Sequence, residues 1–480
     1  MDDTHLPGRI NGVLKDHLLV VVPVYANRIF YSIGFLSMVS LVWLILTGMV
    51  LVFWGPNWWL TTAWGLFTRS LHLWAAQAFI FFIFLHALIV FLTGAYKPPR
   101  RLTWVLGALM LFLAMFEAEF GYGLRGDFSS QWRSLQAADF YNGTGLGMII
   151  NNLNYAQIYG IHIVIIPLII IVLLTAHYFL IRVMGIARPQ NVESAYPLVK
   201  ANHTVLLFRG LVLTAVLILL AKIFPSPLII PTTIQSVAKT APTLVAKTLV
   251  AEMAHSSATA TYLDNIDPYT FDTRTVYIKI PYGQYLQLTG NPDAFSVFAG
   301  ESSDVQKTQL AQAQNYYTTA TTLADPSAGA NPVYSVVSSL VKMAQAGIYE
   351  ESLANQNTNA FNVTAARRFL SDTGVLEVKA EDLHITTDQY GMMREEQGYL
   401  PGAWWLVPIG VFNHTILAND PNGDRDGAEI LAAMMFLLLA FPFIPVVNRI
   451  PEFLHLDRFI WGPPQLPKNP PPITENQPAP

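Results

Sequence analysis

Residues 69–90 read RSLHLWAAQAFIFFIFLHALIV, a twenty-two-residue run dominated by apolar side chains and carrying two imidazoles, His72 and His86. A stretch this long, with Arg69 its one fixed charge and at its edge, is a membrane-spanning helix by length and composition. The two histidines are fourteen residues apart. That is almost four whole turns, so both rings fall on one face with Cα atoms about 21 Å apart, one towards each side of a hydrocarbon core about 30 Å thick. Intramembrane polar groups are costly and are kept with partners. Where those partners lie decides the fold.

The chain has 480 residues, 52% of them hydrophobic and 12% charged, which points to a multispanning membrane protein rather than a soluble enzyme. A net charge of −4 with no long basic block gives no footing for nucleic acid. The absence of cysteine excludes thiolate metal sites, iron–sulfur ligation by this chain, c-type haem attachment and disulfides. The segment 1–27 lacks the pattern of a cleavable signal, so the first span is expected to do the targeting.

Six segments are long and apolar enough to span: 29–54, 71–95, 103–124, 158–182, 204–224 and 427–447. Lys97, Arg100 and Arg101 follow span two, Arg182, Arg188, Lys200 and Arg209 border the link between spans four and five, and Arg449 and Arg458 follow span six. With both termini cytoplasmic these all fall on the cytoplasmic side, and the loops 55–70, 125–157 and 225–426 face outward. The setting expected is a prokaryotic plasma membrane.

Span one holds Gly34 and Gly48, and span three holds Gly107 and Gly121, each pair repeating the fourteen-residue interval of His72 and His86. Glycine permits close approach of a backbone to a flat ligand, and equally permits helix packing. Span four holds His162 and His177, fifteen apart, with Pro167 between them. A proline kink absorbs one extra residue while both rings keep one heading. Spans two and four run in the same direction, so His72 matches His162 in depth near the outer side and His86 matches His177 near the inner side. Four histidines at two depths are what two bis-histidine haems stacked across a membrane require.

These residues, with FLTGAYKPPRRLTWVLG (92–107), LAMFEAEFGYGL (113–124) and HYFLIRVMGIARP (177–189), resemble cytochrome b of the quinol-oxidising cytochrome bc and b6f-type complexes, most of all its actinobacterial form. The resemblance covers about 28–224 well and 390–447 weakly. It implies an all-α membrane protein, a four-helix haem bundle plus two further spans. Two haem b groups are implied, the outer held by His72 and His162 and the inner by His86 and His177, with Gly34, Gly48, Gly107 and Gly121 beside them. Arg69 would meet an outer-haem propionate. Lys97, Arg100, Arg182 and Lys200 are candidates for inner-haem propionates or the cytoplasmic-side quinone pocket, or else serve as orientation signals. Membrane lipid, quinone or quinol, a Rieske iron–sulfur or other outer-side redox subunit, a cytochrome and a dimeric complex are the implied partners.

Three departures bear on mechanism. Ser32 stands where the plastid branch has a haem-tethering cysteine, so no covalent haem is expected. Arg125 stands where the family has proline after Gly-Tyr-x-Leu. In the outer quinol signature the alignment places LPGAWW, with Trp404 where a glutamate belongs. Quinol oxidation needs a proton acceptor within hydrogen-bond reach. Glu395, Glu396 and His414 are the substitutes nearby in sequence.

The domains expected are an N-terminal segment 1–28, the haem-binding bundle 29–200, a fifth span 201–224, an inserted outer-side domain of mixed α/β structure 225–400, a loop remnant and sixth span 401–448, and a proline-rich tail 449–480. Within the insertion, 237–254 and 306–324 read as helices, VYIKIPY (276–282) reads as a strand by alternation, and His255 and His384 stand alone. The function expected is electron transfer through two b haems between quinone and redox partners, as a subunit of a quinol:acceptor oxidoreductase. The alternatives are a two-haem conduit without a bifurcating outer quinol site, serving another outer partner, and a haem-free transporter or scaffold.

Overall fold

The computed structural model describes residues 21–187, 196–263, 271–324, 331–356, 361–386, 401–420 and 423–462. It divides into two compact units, one of residues 1–118, 165–226 and 433–480, the other of 119–164 and 227–432. Six helices are long and apolar enough to cross a membrane: Ile29–Thr61, Ala63–Leu92, Arg101–Gly123, Tyr155–Met184, His203–Ile223 and Arg425–Phe443. They coincide with the six expected spans. Large apolar side chains such as Leu168, Val172, Leu207 and Phe436 stand exposed along them, the pattern of helices solvated by lipid. The chain is a multi-pass all-α membrane protein. Among the described residues sheet is confined to Val21–Pro23 (β1) paired antiparallel with Leu198–Lys200 (β2), and one isolated bridge.

In the first unit, helix α1 (Ile33–Thr61) packs along α2 (Ala63–Leu92). Its regular course breaks at Gly55, whose φ of 76° lies in the left-handed region, immediately before Pro56. Trp43 of α1 donates to Thr214 of the fifth span, and Trp74 of α2 donates to the Phe224 carbonyl at the end of that span. The segments on one side of these spans are tied to one another. Arg100 donates to the Met184 and Gly185 carbonyls, Lys97 pairs with Glu452 at 2.6 Å, and Tyr25 donates to the Ala187 carbonyl. Those are the segments that carry the basic residues, and they gather together.

The remaining labelled helices are α3 (Arg101–Gly123), α4 (Phe128–Gly143), α5 (Tyr155–Gly160), α6 (Ile166–Met184), α7 (His203–Ile223), α8 (Pro242–Met253), α9 (Ile280–Thr289), α10 (Pro332–Ala346) and α11 (Thr364–Asp372). Span four is α5 and α6 joined by a π turn, Ile161–Ile165. A π turn takes one more residue than an α turn, so the fifteenth residue between His162 and His177 is absorbed there, just before Pro167, rather than by a proline kink alone.

The second unit is built around a large apolar core. Val245, Leu249 and Met253 of α8, Val336, Val337 and Leu340 of α10, and Phe369 and Leu370 of α11 are buried in it together with Phe128, Leu135 and Leu153 from the loop between spans three and four. Arg368 pairs with Asp139 at 2.6 Å, Gln131 exchanges hydrogen bonds with Thr232, and Asn154 bridges to Asn362. The two longest loops therefore lie on the same side of the membrane. VYIKIPY, read as a strand, is a π turn, Thr275–Lys279, leading into α9. Tyr277, Ile278, Pro281 and Tyr282 are its buried positions, a helical stripe that three alternating apolar residues imitate over so short a run. The segments expected as helices at 237–254 and 306–324 are helical up to Met253, with a break at Ala241, and up to Thr319.

Within this core Glu252 is fully buried. Ser257 donates to its Oε2 at 2.7 Å, and burial, followed by its hydrogen bond to the Asp372 carboxyl, holds Glu252 well above the usual carboxylate range. A raised carboxylate favours the fold while both states are protonated and loses that contribution as the unfolded chain ionises, from the ordinary value near 4.5 upward. Glu252→Gln keeps a donor towards Asp372 and removes the ionisation, so the variant should gain stability over the parent at up to about 1.4 kcal/mol per pH unit above that value. Thermal unfolding of the two proteins at about pH 5 and about pH 8 checks it, with the gap between midpoints expected to widen at the higher pH.

Candidate cofactor-binding site

Each of the four intramembrane histidines lies against a glycine of a neighbouring helix. A Cβ built on Gly34 would stand 3.3 Å from the His86 ring, one on Gly48 3.4 Å from His72, one on Gly107 3.3 Å from His177 and one on Gly121 2.9 Å from His162. The matching intervals read from the sequence are thus matched contacts, α1 against α2 and α3 against span four. A side chain would crowd the ring most at Gly121, less at Gly34 and Gly107, and least at Gly48.

Two of the rings have their tautomer set. The Thr103 carbonyl accepts from Nδ1 of His177 at 3.0 Å, which leaves Nε2 as the free lone pair. The Thr47 hydroxyl gives its proton to the Trp43 carbonyl at 2.6 Å, so at 2.9 Å from His72 Nδ1 it accepts, which puts the His72 proton on Nδ1 and the ring lone pair on Nε2. An imidazole anchored at Nδ1 and open at Nε2 is the form that ligates a metal. His86 and His177 also lie close enough to act electrostatically on one another. The donor set and the side-chain-free backbones fit a flat iron porphyrin.

Arg69 is buried and donates to the Ser226 carbonyl at 3.4 Å. Lys97 and Arg100 are engaged as described above, Arg182 lies in the last turn of α6, and Lys200 is an exposed residue of β2. Ser32 is buried and receives a hydrogen bond from Arg209. Glu395 and Glu396 lie outside the described residues. His414 donates from Nδ1 to the Gly410 carbonyl at 2.9 Å, within its own helix. His255 and His384 are exposed, and among the described residues no group of three His, Asp or Glu side chains is placed to hold a metal.

A second polar cluster was not evident from the sequence alone. Arg125, at the family's proline position, pairs with buried Asp127 at 2.8 Å and donates to the Pro227 carbonyl at 3.2 Å. Arg133 of α4 is buried with its guanidinium 4.5 Å from the Tyr122 ring centroid, and Trp405 of LPGAWW lies 6.3 Å from the same ring. The signal that marks this cluster is a carboxylate inside a span, Glu119.

Fold and site define a multi-pass membrane protein with paired intramembrane imidazoles facing bare backbone. Residues 77–231 match the model for the N-terminal cytochrome b/b6/petB family. Cytochrome b6 of Heliomicrobium gestii is 33% identical over 209 residues, 39% of this chain and 98% of that protein. The cytochrome b subunit of the Mycobacterium bovis cytochrome bc1 complex is 38% identical over 130 residues, 24% of each chain. A chain of a solved hyperthermophilic respiratory Complex III aligns over 78% of this chain and 98% of its own at 16% identity and a TM-score of 0.39, too low to bear on the argument. The chain belongs to the cytochrome b family, the b-type cytochromes of membrane electron transfer.

The glycine contacts rank the sensitivity of the bundle. Alanine at Gly121 should cost about 1–3 kcal/mol by overpacking against His162. Alanine at Gly48, where the ring is 3.4 Å away, should be close to neutral, because the helix gains about 0.5–1 kcal/mol in propensity. Thermal unfolding midpoints of the two variants measure the difference.

Proposed function

We propose that this chain binds two b-type haems, the outer by His72 and His162 and the inner by His86 and His177, and transfers electrons across the membrane between quinone and partner redox subunits of a bc-like complex. The observation that supports it above all is the set of four histidine–glycine contacts at equal intervals. Haem iron, when bound, supplies reversible one-electron chemistry. Thr47 and Thr103 hold Nδ1 of His72 and His177 so that Nε2 is presented to the metal. The glycines let the helices close without a side chain in the way. Arg69 is a buried fixed cation suited to a propionate carboxylate. Lys97 and Arg100 are already engaged with Glu452 and the Met184 and Gly185 carbonyls, which favours a structural role for both over the inner quinone pocket.

On this reading the chain is the cytochrome b subunit of a quinol:acceptor oxidoreductase in a prokaryotic plasma membrane. Both termini are cytoplasmic, the insertion faces outward, and a Rieske-type or other outer redox subunit and a cytochrome complete a dimeric complex. A second reading keeps the two haems and dispenses with a bifurcating outer site. Trp404 at the glutamate position and Arg125 at the proline position favour it.

The purified protein should show b-type bands in its reduced-minus-oxidised spectrum and close to two haems per chain by pyridine haemochrome. Replacing His72 or His162 should remove the outer haem and leave the inner one, and replacing His86 or His177 the converse, each halving the haem content. Colourless protein would sink the haem reading and leave the scaffold alternative.

A further inference from the structure

Glu119 is a carboxylate in a membrane helix for which haem binding has no use. It lies two residues before Gly121 and three before Tyr122 on α3, deep in its unit yet with part of its surface uncovered. Three residues are nearly one turn, so Glu119 and Tyr122 share a face. Two other segments meet that face. Arg133 of α4 sits over the Tyr122 ring at 4.5 Å and acts electrostatically on Glu119, and Tyr141, two turns further along α4, interacts with the same carboxylate. Trp405 approaches Tyr122 from the LPGAWW segment. Arg125 also lies over Tyr122, at 5.5 Å, but its charge is matched by Asp127. A carboxylate, a guanidinium and a phenol thus converge beside the segment that aligns with the outer quinol signature.

We propose that Glu119 is the proton acceptor of an outer quinol site, taking from span three the task that the missing glutamate performs from the loop before span six. The inference rests on the quinol-oxidising reading above. Arg133 supplies the opposite charge that lets a carboxylate persist inside a span. The reaction balances as follows: a ring O–H bond of the quinol breaks and its proton passes to a Glu119 carboxylate oxygen, the second hydroxyl proton leaves to water, and the ring becomes the quinone. Of the two electrons released, one would pass to a haem held by His72 and His162 and the other to a one-electron iron–sulfur acceptor on the outer partner. Position supports the assignment, because Gly121, which cradles His162, is only about 3 Å further along the helix axis.

The test uses the haem-loaded complex in lipid nanodiscs with its outer one-electron acceptor present and oxidised, mixed with a short-chain ubiquinol or menaquinol while haem reduction is followed from about pH 5 to about pH 9. Glu119→Gln should slow reduction about 100-fold and flatten the pH profile, and Glu119→Asp should restore much of the rate with a shifted profile. Haem content and the dithionite-reduced spectrum should match the parent. In quinol-minus-quinone infrared difference spectra a carboxyl carbonyl band of the parent should be missing from Glu119→Gln. Parental rate, pH profile and carboxyl band in Glu119→Gln would overturn the assignment and leave the quinol reading standing. Loss of haem from Glu119→Gln with an unshifted profile in Glu119→Asp would make the residue structural and overturn it too. A parent that quinol does not reduce at all would overturn both.

Discussion

The spans depend on one steric rule: where an imidazole meets the neighbouring helix, that helix has no side chain. Each such glycine costs about 0.5–1 kcal/mol of helix stability relative to alanine, and the chain accepts that cost four times. Antiparallel helices map equal axial distances onto each other, so Gly34 and Gly48 on α1 must repeat the interval of His86 and His72 on α2. Span four carries one residue more between its histidines than span three carries between its glycines, and the π turn at Ile161–Ile165 takes up the difference. Geometry of this kind tolerates little drift, since membrane helices hold together by packing rather than by a hydrophobic drive between them.

The parts of this design that are local in the sequence were legible there. A run of apolar residues fixes a span, and a fixed rise per residue turns the positions of His72, His86, His162 and His177 into depths. The acceptors that set the tautomers of His72 and His177 were not legible, because Thr47 and Thr103 belong to other helices and their contacts are tertiary. VYIKIPY was misread because seven residues of alternation cannot distinguish a strand from a helix whose buried stripe happens to start with neighbours Tyr277 and Ile278. Glu119 was visible as a charge in a span, but its company was not: Arg133 and Tyr141 come from the following helix and Trp405 from some 280 residues further along the chain.

Polar groups on the side that carries the basic residues are used to end helices as much as to carry charge. Arg100 covers the last carbonyls of α6, Arg28 donates to the Ile460 carbonyl, and Tyr196 donates to that of Gly462. Helix ends leave carbonyls without partners, and cations placed there answer both the hydrogen bond and the helix dipole. A basic residue in such a loop can therefore orient the chain and finish a helix at once.

The insertion between spans five and six shares its core with α4, through Phe128 and Leu135, and is pinned to it by the Asp139–Arg368 pair. Arg368 of that pair is buried while Asp139 is partly open to solvent, so the pair adds direction to a contact held mainly by the apolar core. The insertion is for that reason a handle on α4 rather than a pendant module. Anything that grips its far surface and turns it also turns the helix that carries Arg133, so mechanical load from outside the membrane is delivered to the foot of span three.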